Sequence, residues 1–335
     1  MNDLSEAKAL VRAHHAALAR ATPDTVAGAL SQHMAADALW RGMHPMHEQS
    51  GPEAVAQAFW TPLLTSLSRV QRRQDIFFAG QNSLGAGGLW VASMGHFLGL
   101  FDQPFLGIPP TGKLVMLRYA EFSRVENGQI IEQAMFVDLL HLMAQADCYP
   151  LPGMTGAQLV QPGPMTHDGL LYSPQAPEDG AATLDLINRM IGAIDLANKS
   201  DTPPPPEVEL AAHWHDDMLW WGPTGIGATF TIDRYIAQHQ QPFRTQLGHR
   251  TFNGHICRMA EGDYGGFFGW PNLTMECTGP YLGLPPSGKK ADLRVVDFYR
   301  RDGDKLAENW IFIDMLHFLN MQGLDVLAQL ATRGR

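Results

Sequence analysis

Two aspartates, Asp138 and Asp314, each end a run that reads as a strand. The residues of equal parity before them are Glu132, Ala134 and Phe136 in one case, and Glu308, Trp310 and Phe312 in the other. Alternate strand residues share a face, so each carboxyl closes a face that is otherwise largely apolar. If that face lines a cavity, lost hydration disfavours the carboxylate and raises its pKa, making Asp a usable acid/base near neutrality. The same spacing admits a structural role. Each Asp can cap the short helix after it, accepting backbone N–H bonds at Leu140 and His141 or at Leu316 and His317.

Histidine is the other natural proton-transfer residue. His96 follows Gly95 in a strand run, and its counterpart later in the chain is Asn272. His141 and His317 follow the two aspartates by three residues, where a structural role suffices. In His213-Trp214-His215-Asp216-Asp217 only His213 and Asp217 have counterparts, His33 and Asp37, so no metal site is expected there. Gly107-Ile108-Pro109-Pro110-Thr111-Gly112-Lys113 lacks the spacing of a phosphate-binding loop. Ser93-Met94-Gly95 lacks the glycine that a nucleophile elbow needs two residues before its serine. Arg118 and Glu121, like Arg294 and Asp297, are opposite in parity and need not face each other.

The elements carrying these residues occur twice. Gly107–Lys113 returns as Gly283–Lys289 at an offset of 176 residues, and Glu121-Phe122 returns as Asp297-Phe298 at the same offset. Upstream, Asp37-Ala38-Leu39-Trp40 pairs with Asp217-Met218-Leu219-Trp220 at an offset of 180. Similarity over most of each half is an internal duplication, and its period is far too long for a solenoid.

The first copy reads as helices over residues 5–21, from Thr22-Pro23-Asp24 to about Ala36, and from Gly51 to about Leu67. A short strand lies at Ala38–Arg41. Strands follow at Arg69–Ala79, Leu89–Leu100, Leu114–Val125 and Gln129–Asp138, with Asn127-Gly128 as a hairpin turn. In the second copy helices are expected over Ala181–Asn198, after Pro203–Pro206 and from about Thr229. Its strands are expected at Gln246–Cys257, Gly265–Cys277, Lys290–Arg300 and Lys305–Asp314. Helices followed by an antiparallel sheet make each copy α+β. The expected division is one domain over 1–150, a Pro- and Gly-rich linker over 151–177, and a second domain over 178–335.

The net charge of −10 disfavours a nucleic-acid partner. Three cysteines without CxxC spacing make neither a disulfide framework nor a zinc site. The segment Met1–Glu6 has no basic n-region or apolar h-region, and no apolar run approaches the roughly 18–20 residues of a bilayer span. The expectation is a soluble cytoplasmic protein.

The run Gly-x-Pro-Pro-Thr/Ser-Gly-Lys, then a strand, a turn with glycine (Asn127-Gly128, Asp302-Gly303), and Glu-x-x-x-x-x-Asp (Glu132–Asp138, Glu308–Asp314) resembles the SnoaL-like polyketide cyclases. The resemblance implies a tandem NTF2-like fold, in which helices pack into a strongly curved sheet and enclose a conical pocket. It also implies intramolecular aldol chemistry without cofactor or metal, with Asp138 and Asp314 as acid/base and His96 nearest to the family's histidine. Aromatic residues expected to contact substrate are Trp40, Phe105 and Phe136 in the first copy, and Trp220, Tyr281, Trp310 and Phe312 in the second. The functional expectation is a cyclase- or isomerase-type enzyme acting on a hydrophobic keto compound. The alternatives are a binding protein for an apolar small molecule and a hydrolase or dehydratase on the same scaffold. The two copies are expected to pack as an internal pseudo-dimer, with further dimerisation left open.

Overall fold

The structure is a computed structural model that describes residues 3–85, 87–200 and 202–333. The first helix, Asp3–Arg20, buries Ala7, Val11, His14 and Leu18, the stripe that a 3.6-residue period places on one face. A second, Val26–Ser31, stops short of the expected Ala36. Met34 already pairs with Ile130, so the chain has entered a sheet by then.

Six strands form the first sheet: β1 (Met34–Gly42), β2 (His47–Ser50), β3 (Leu67–Gln81), β4 (Leu89–Phe101), β5 (Leu114–Glu126) and β6 (Gln129–Val137). Their order is β2-β1-β6-β5-β4-β3, with β1 parallel to β6 and every other pair antiparallel. Asn127 and Gly128 both take positive φ, which the two-residue turn between β5 and β6 requires. Residues 51–66 form one helix whose middle turn, Ala56–Trp60, is π-helical.

The second half repeats this plan with β7 (Trp214–Trp221), β8 (Ala228–Phe230), β9 (Leu247–Phe252), β10 (Cys257–Glu261), β11 (Tyr264–Cys277), β12 (Lys290–Asp302) and β13 (Lys305–Ile313). The path runs β10-β11-β12-β13-β7-β8, with β9 also pairing β11. The strand expected over Gln246–Cys257 is thus two strands, because residues 253–256 leave the ladder around Gly254 at φ +101. Thr229 lies in β8, and the helix expected there starts at Ile232, where the Thr231 hydroxyl caps Arg234 N–H. The π turn recurs at Ile236–Gln240, inside a helix over residues 232–246.

Helices cover one face of each sheet, and the other faces pack on one another. Ile76, Phe78, Ala120, Phe122 and Phe136 of the first sheet share a buried cluster with Tyr264, Phe268, Phe298, Trp310 and Phe312 of the second. The Phe122 ring lies 5.2 Å from Phe268 and 5.3 Å from Phe298. The segment between the halves seals edges: Ala157 bridges to Ala228 in β8, and Leu170 bridges to Phe77 in β3. Among the described residues no helix is long and apolar enough to cross a membrane.

Candidate active site

Parity decides what each side of a sheet does. On β5, Leu117, Tyr119, Glu121 and Ser123 face the helices, while Ala120 and Phe122 face the other half. The helix-side concavity of the first half is filled by a charged network around Glu121. His15 Nε2 lies 2.5 Å from Glu121 Oε1, and Arg72 Nη1 donates to Oε2 at 3.1 Å. Gln74 contacts His15 Nδ1 at 3.2 Å and donates to Ser93 Oγ at 3.1 Å, while Ser93 Oγ sits 2.9 Å from the Tyr119 hydroxyl. The Arg72 guanidinium lies over the Tyr119, Phe97 and Trp60 rings at 4.7, 5.0 and 5.6 Å.

Burial works against an ionised Glu121. Arg72 and then His15 outweigh it, holding the carboxyl below the usual carboxylate range. Burial keeps His14 neutral, its pKa pushed down to about 3, and neither of its ring nitrogens has a hydrogen-bond partner.

The second half has Asp297 at the position of Glu121, in different company. The Asn309 amide donates to Asp297 Oδ1 at 3.0 Å, and among the described residues Asp297 forms no salt bridge. The β3 position of Arg72, opposite Phe97, is taken in β9 by Phe252, opposite Leu273. Around Asp297 stand aromatic groups. Tyr299 and Tyr235 both have hydroxyl pKa values raised by burial and then by the Asp297 charge. His239 stacks on Trp220 at 4.0 Å and His255 on Phe267 at 3.8 Å; burial pushes each histidine down to about 3. Desolvation raises Asp297 to about 7, only partly opposed by Asn309 and Tyr299. A buried carboxyl raised to about 7, set among aromatic side chains, suits general acid/base chemistry.

Asp138 and Asp314 lie elsewhere, on the side where the halves meet. Asp138 Oδ1 accepts His141 N–H at 3.0 Å and Oδ2 accepts Thr224 N–H at 2.9 Å. Asp314 Oδ1 accepts His317 N–H at 3.2 Å and Oδ2 accepts His44 N–H at 2.9 Å. His44 and Thr224 are equivalent under the duplication. Each Asp therefore caps its own helix and ties down the opposite half, with the reciprocity of an isologous contact. Burial raises Asp314 to about 6 against the pull of His44 N–H and Arg294. The cavity between the two carboxyls is about 10 Å³, room for about one water.

His96 is buried with Nδ1 3.3 Å from Asp75 Oδ2, and its Nε2 has no partner. Phe136, Trp310 and Phe312 belong to the core between the sheets, where Trp310 Nε1 donates to Pro162 O at 3.0 Å and Phe312 lies under Arg118 at 3.9 Å. Trp40, Phe105, Trp220 and Tyr281 are buried on the helix sides. Of the expected contact residues, Trp220 packs at 5.6 Å on Tyr235, whose hydroxyl feels the Asp297 charge. Sequence reasoning missed Glu121, Asp297, His15, Arg72 and Asn309. The available signal was the acidic residue before phenylalanine at the same place in both copies. Among the described residues no group of three His, Cys, Asp or Glu is placed to hold a metal ion.

The model of the SnoaL-like polyketide cyclase family matches residues 8–146 and 271–320, more than half of the chain and parts of both copies. The chain belongs to that family. Solved structures with a similar fold include a SnoaL-like protein from Jannaschia sp. CCS1, 22% identical, covering 45% of this chain and 97% of its own, with a TM-score of 0.36. An NTF2-like protein from Burkholderia thailandensis E264 is 23% identical, covers 44% of this chain and 98% of its own, and has a TM-score of 0.32. One from Burkholderia xenovorans LB400 is 12% identical over 43% of this chain and 97% of its own, with a TM-score of 0.33. No curated protein matches the chain. Within this tandem SnoaL-like chain the two helix-side recesses have diverged: one is charge-compensated, and the other holds a lone carboxyl.

Proposed function

We propose that this SnoaL-like chain is a cofactor-independent enzyme of the cyclase or isomerase type, acting on a hydrophobic keto compound in the second-half recess with Asp297 as general acid/base. The observation that carries this reading is the buried Asp297 carboxyl, without a cationic partner among the described residues and held by Asn309 near Tyr299 and Tyr235, on which Trp220 packs. As carboxylate it removes a proton beside a carbonyl; as acid it returns one to the enol or the new alkoxide. An aromatic recess that orients both ends of one substrate supplies about 7–11 kcal/mol of the barrier, and the proton transfer adds about 10²–10⁴-fold.

In this reading Asp138 and Asp314 hold the halves together. Both oxygens of each already accept backbone N–H bonds, and the space between them is far smaller than a keto substrate. His96, on the face away from the recess, is assigned no step.

The test is deuterium uptake from D2O at the carbon beside the carbonyl of 2-tetralone, followed by mass spectrometry. The wild type is expected to accelerate uptake, with a rate that rises with pH up to about 7 and then levels as Asp297 ionises. Asp297→Asn should remove most of that acceleration. Uptake unchanged in Asp297→Asn would overturn the assignment. Thermal stabilisation by 2-tetralone with no uptake at any pH would favour the binding protein instead.

A further inference from the structure

On the opposite side of β7 and its following helix lies a groove of about 420 Å³, separate from the Asp297 recess. Neighbouring tryptophans on β7 divide the two sites, as the strand's alternation requires. Trp220 faces the recess with His239, and Trp221 lines the groove together with Leu219, Ala228, Phe230, Arg234 and Leu159 from the segment between the halves. The volume falls in the range of small-molecule sites.

Three features give the groove a chemistry. Its walls are mostly apolar, and Phe230 is 53% exposed, as a wall awaiting a contact would be. The buried Trp221 indole N–H has no hydrogen-bond partner. Exposed Arg234 forms no salt bridge among the described residues, and only its backbone N–H is engaged, by the Thr231 cap. A buried N–H without a partner and a guanidinium without an ion pair, on the same groove, suit an anion with several acceptor oxygens.

The other copy supports the contrast. Trp221 corresponds to Arg41, which is paired with Glu132 and lies 3.5 Å from Glu48. The equivalent place in the first half is therefore occupied by ion pairs.

We propose that this groove binds an amphipathic organic anion, with its flat or acyl body against Trp221 and Phe230 and its carboxylate or sulfonate on Arg234 and the Trp221 N–H. The site does not depend on the role given to Asp297.

The test titrates the full-length protein with 8-anilinonaphthalene-1-sulfonate and with uncharged N-phenyl-1-naphthylamine, read by dye fluorescence. Arg234→Gln, a surface change, is expected to weaken the sulfonate about tenfold, the loss of one charge-assisted contact, and to leave the neutral amine unchanged. Trp221→Phe keeps an aromatic wall without its N–H and should also weaken only the sulfonate. Equal sulfonate binding by wild type and Arg234→Gln would overturn the proposal. A concentration-dependent dimer of the wild type that Phe230→Asp dissociates, measured by sedimentation, would overturn it in favour of a contact between copies.

Discussion

The two helix-side recesses began as copies and now solve opposite problems. Around Glu121 the buried charge is compensated, since His15 and Arg72 both reach the carboxyl and the Arg72 guanidinium rests on three aromatic rings. Around Asp297 there is no ion-pair partner among the described residues, and Asn309 and Tyr299 steady the carboxylate only in part. A compensated carboxylate contributes to folding and has little reason to take up a proton. An uncompensated one costs stability and is poised to exchange protons. Loss of stability at a reactive group is a common accompaniment of function, and this supports the proposal that the chemistry lies in the second half.

The largest expected difference between the copies is in rate. Asp297→Asn should lower 2-tetralone exchange by about 10²–10⁴-fold, whereas Glu121→Gln, assayed where it remains folded, should keep most of the wild-type rate. If both variants lose the rate equally, the division between the recesses is wrong.

Stability should move the other way. Glu121→Gln leaves Arg72 charged and buried without its carboxylate, and should cost about 3–5 kcal/mol in urea unfolding at pH 7. Adding Arg72→Met should recover part of that loss, because the charge goes with its partner.

Asp297→Asn should stabilise the protein. The folded pKa of Asp297, about 7, lies above the ordinary carboxyl value of 3.8. The folded state therefore holds the extra proton between those values. The contribution is full below the lower value and is lost as pH rises through the upper one. Asn cannot ionise, so the variant should gain about 2–4 kcal/mol over wild type at pH 8 and almost nothing at pH 3. Equal effects at both pH values would mean that Asp297 is not the group titrating in this window.

The smallest effect is expected where the halves meet. Asp138→Asn keeps one acceptor oxygen and loses the other, leaving either His141 or Thr224 N–H unpaired at a cost of about 1–3 kcal/mol. Deuterium exchange at His141 and Thr224 amides should rise in this variant, while 2-tetralone turnover is kept. Loss of turnover without loss of stability would return the acid/base role to Asp138.

Much of this was legible from residue order. The duplication, the α+β class and the four long strands of the first copy follow from a repeated loop, period-two patterning and Asn127-Gly128. The cap reading of Asp138 and Asp314 was also visible, as one of two alternatives on the same spacing. The groove was not legible, because it combines the segment between the halves with β7, β8 and the helix after them.

Sequence alone determined that Glu132, Ala134, Phe136 and Asp138 share one face and that Glu121 and Asp297 lie on the opposite face from Phe122 and Phe298. Alternation along a strand is local geometry, so it needs nothing beyond the chain order. Only the tertiary structure decided which face meets the helices and which meets the other half. Both faces are apolar enough to be buried, and nothing in a single strand distinguishes a helix from a second sheet as its cover. That choice puts Asp138 and Asp314 at the join between the halves, and Asp297 in a recess of its own.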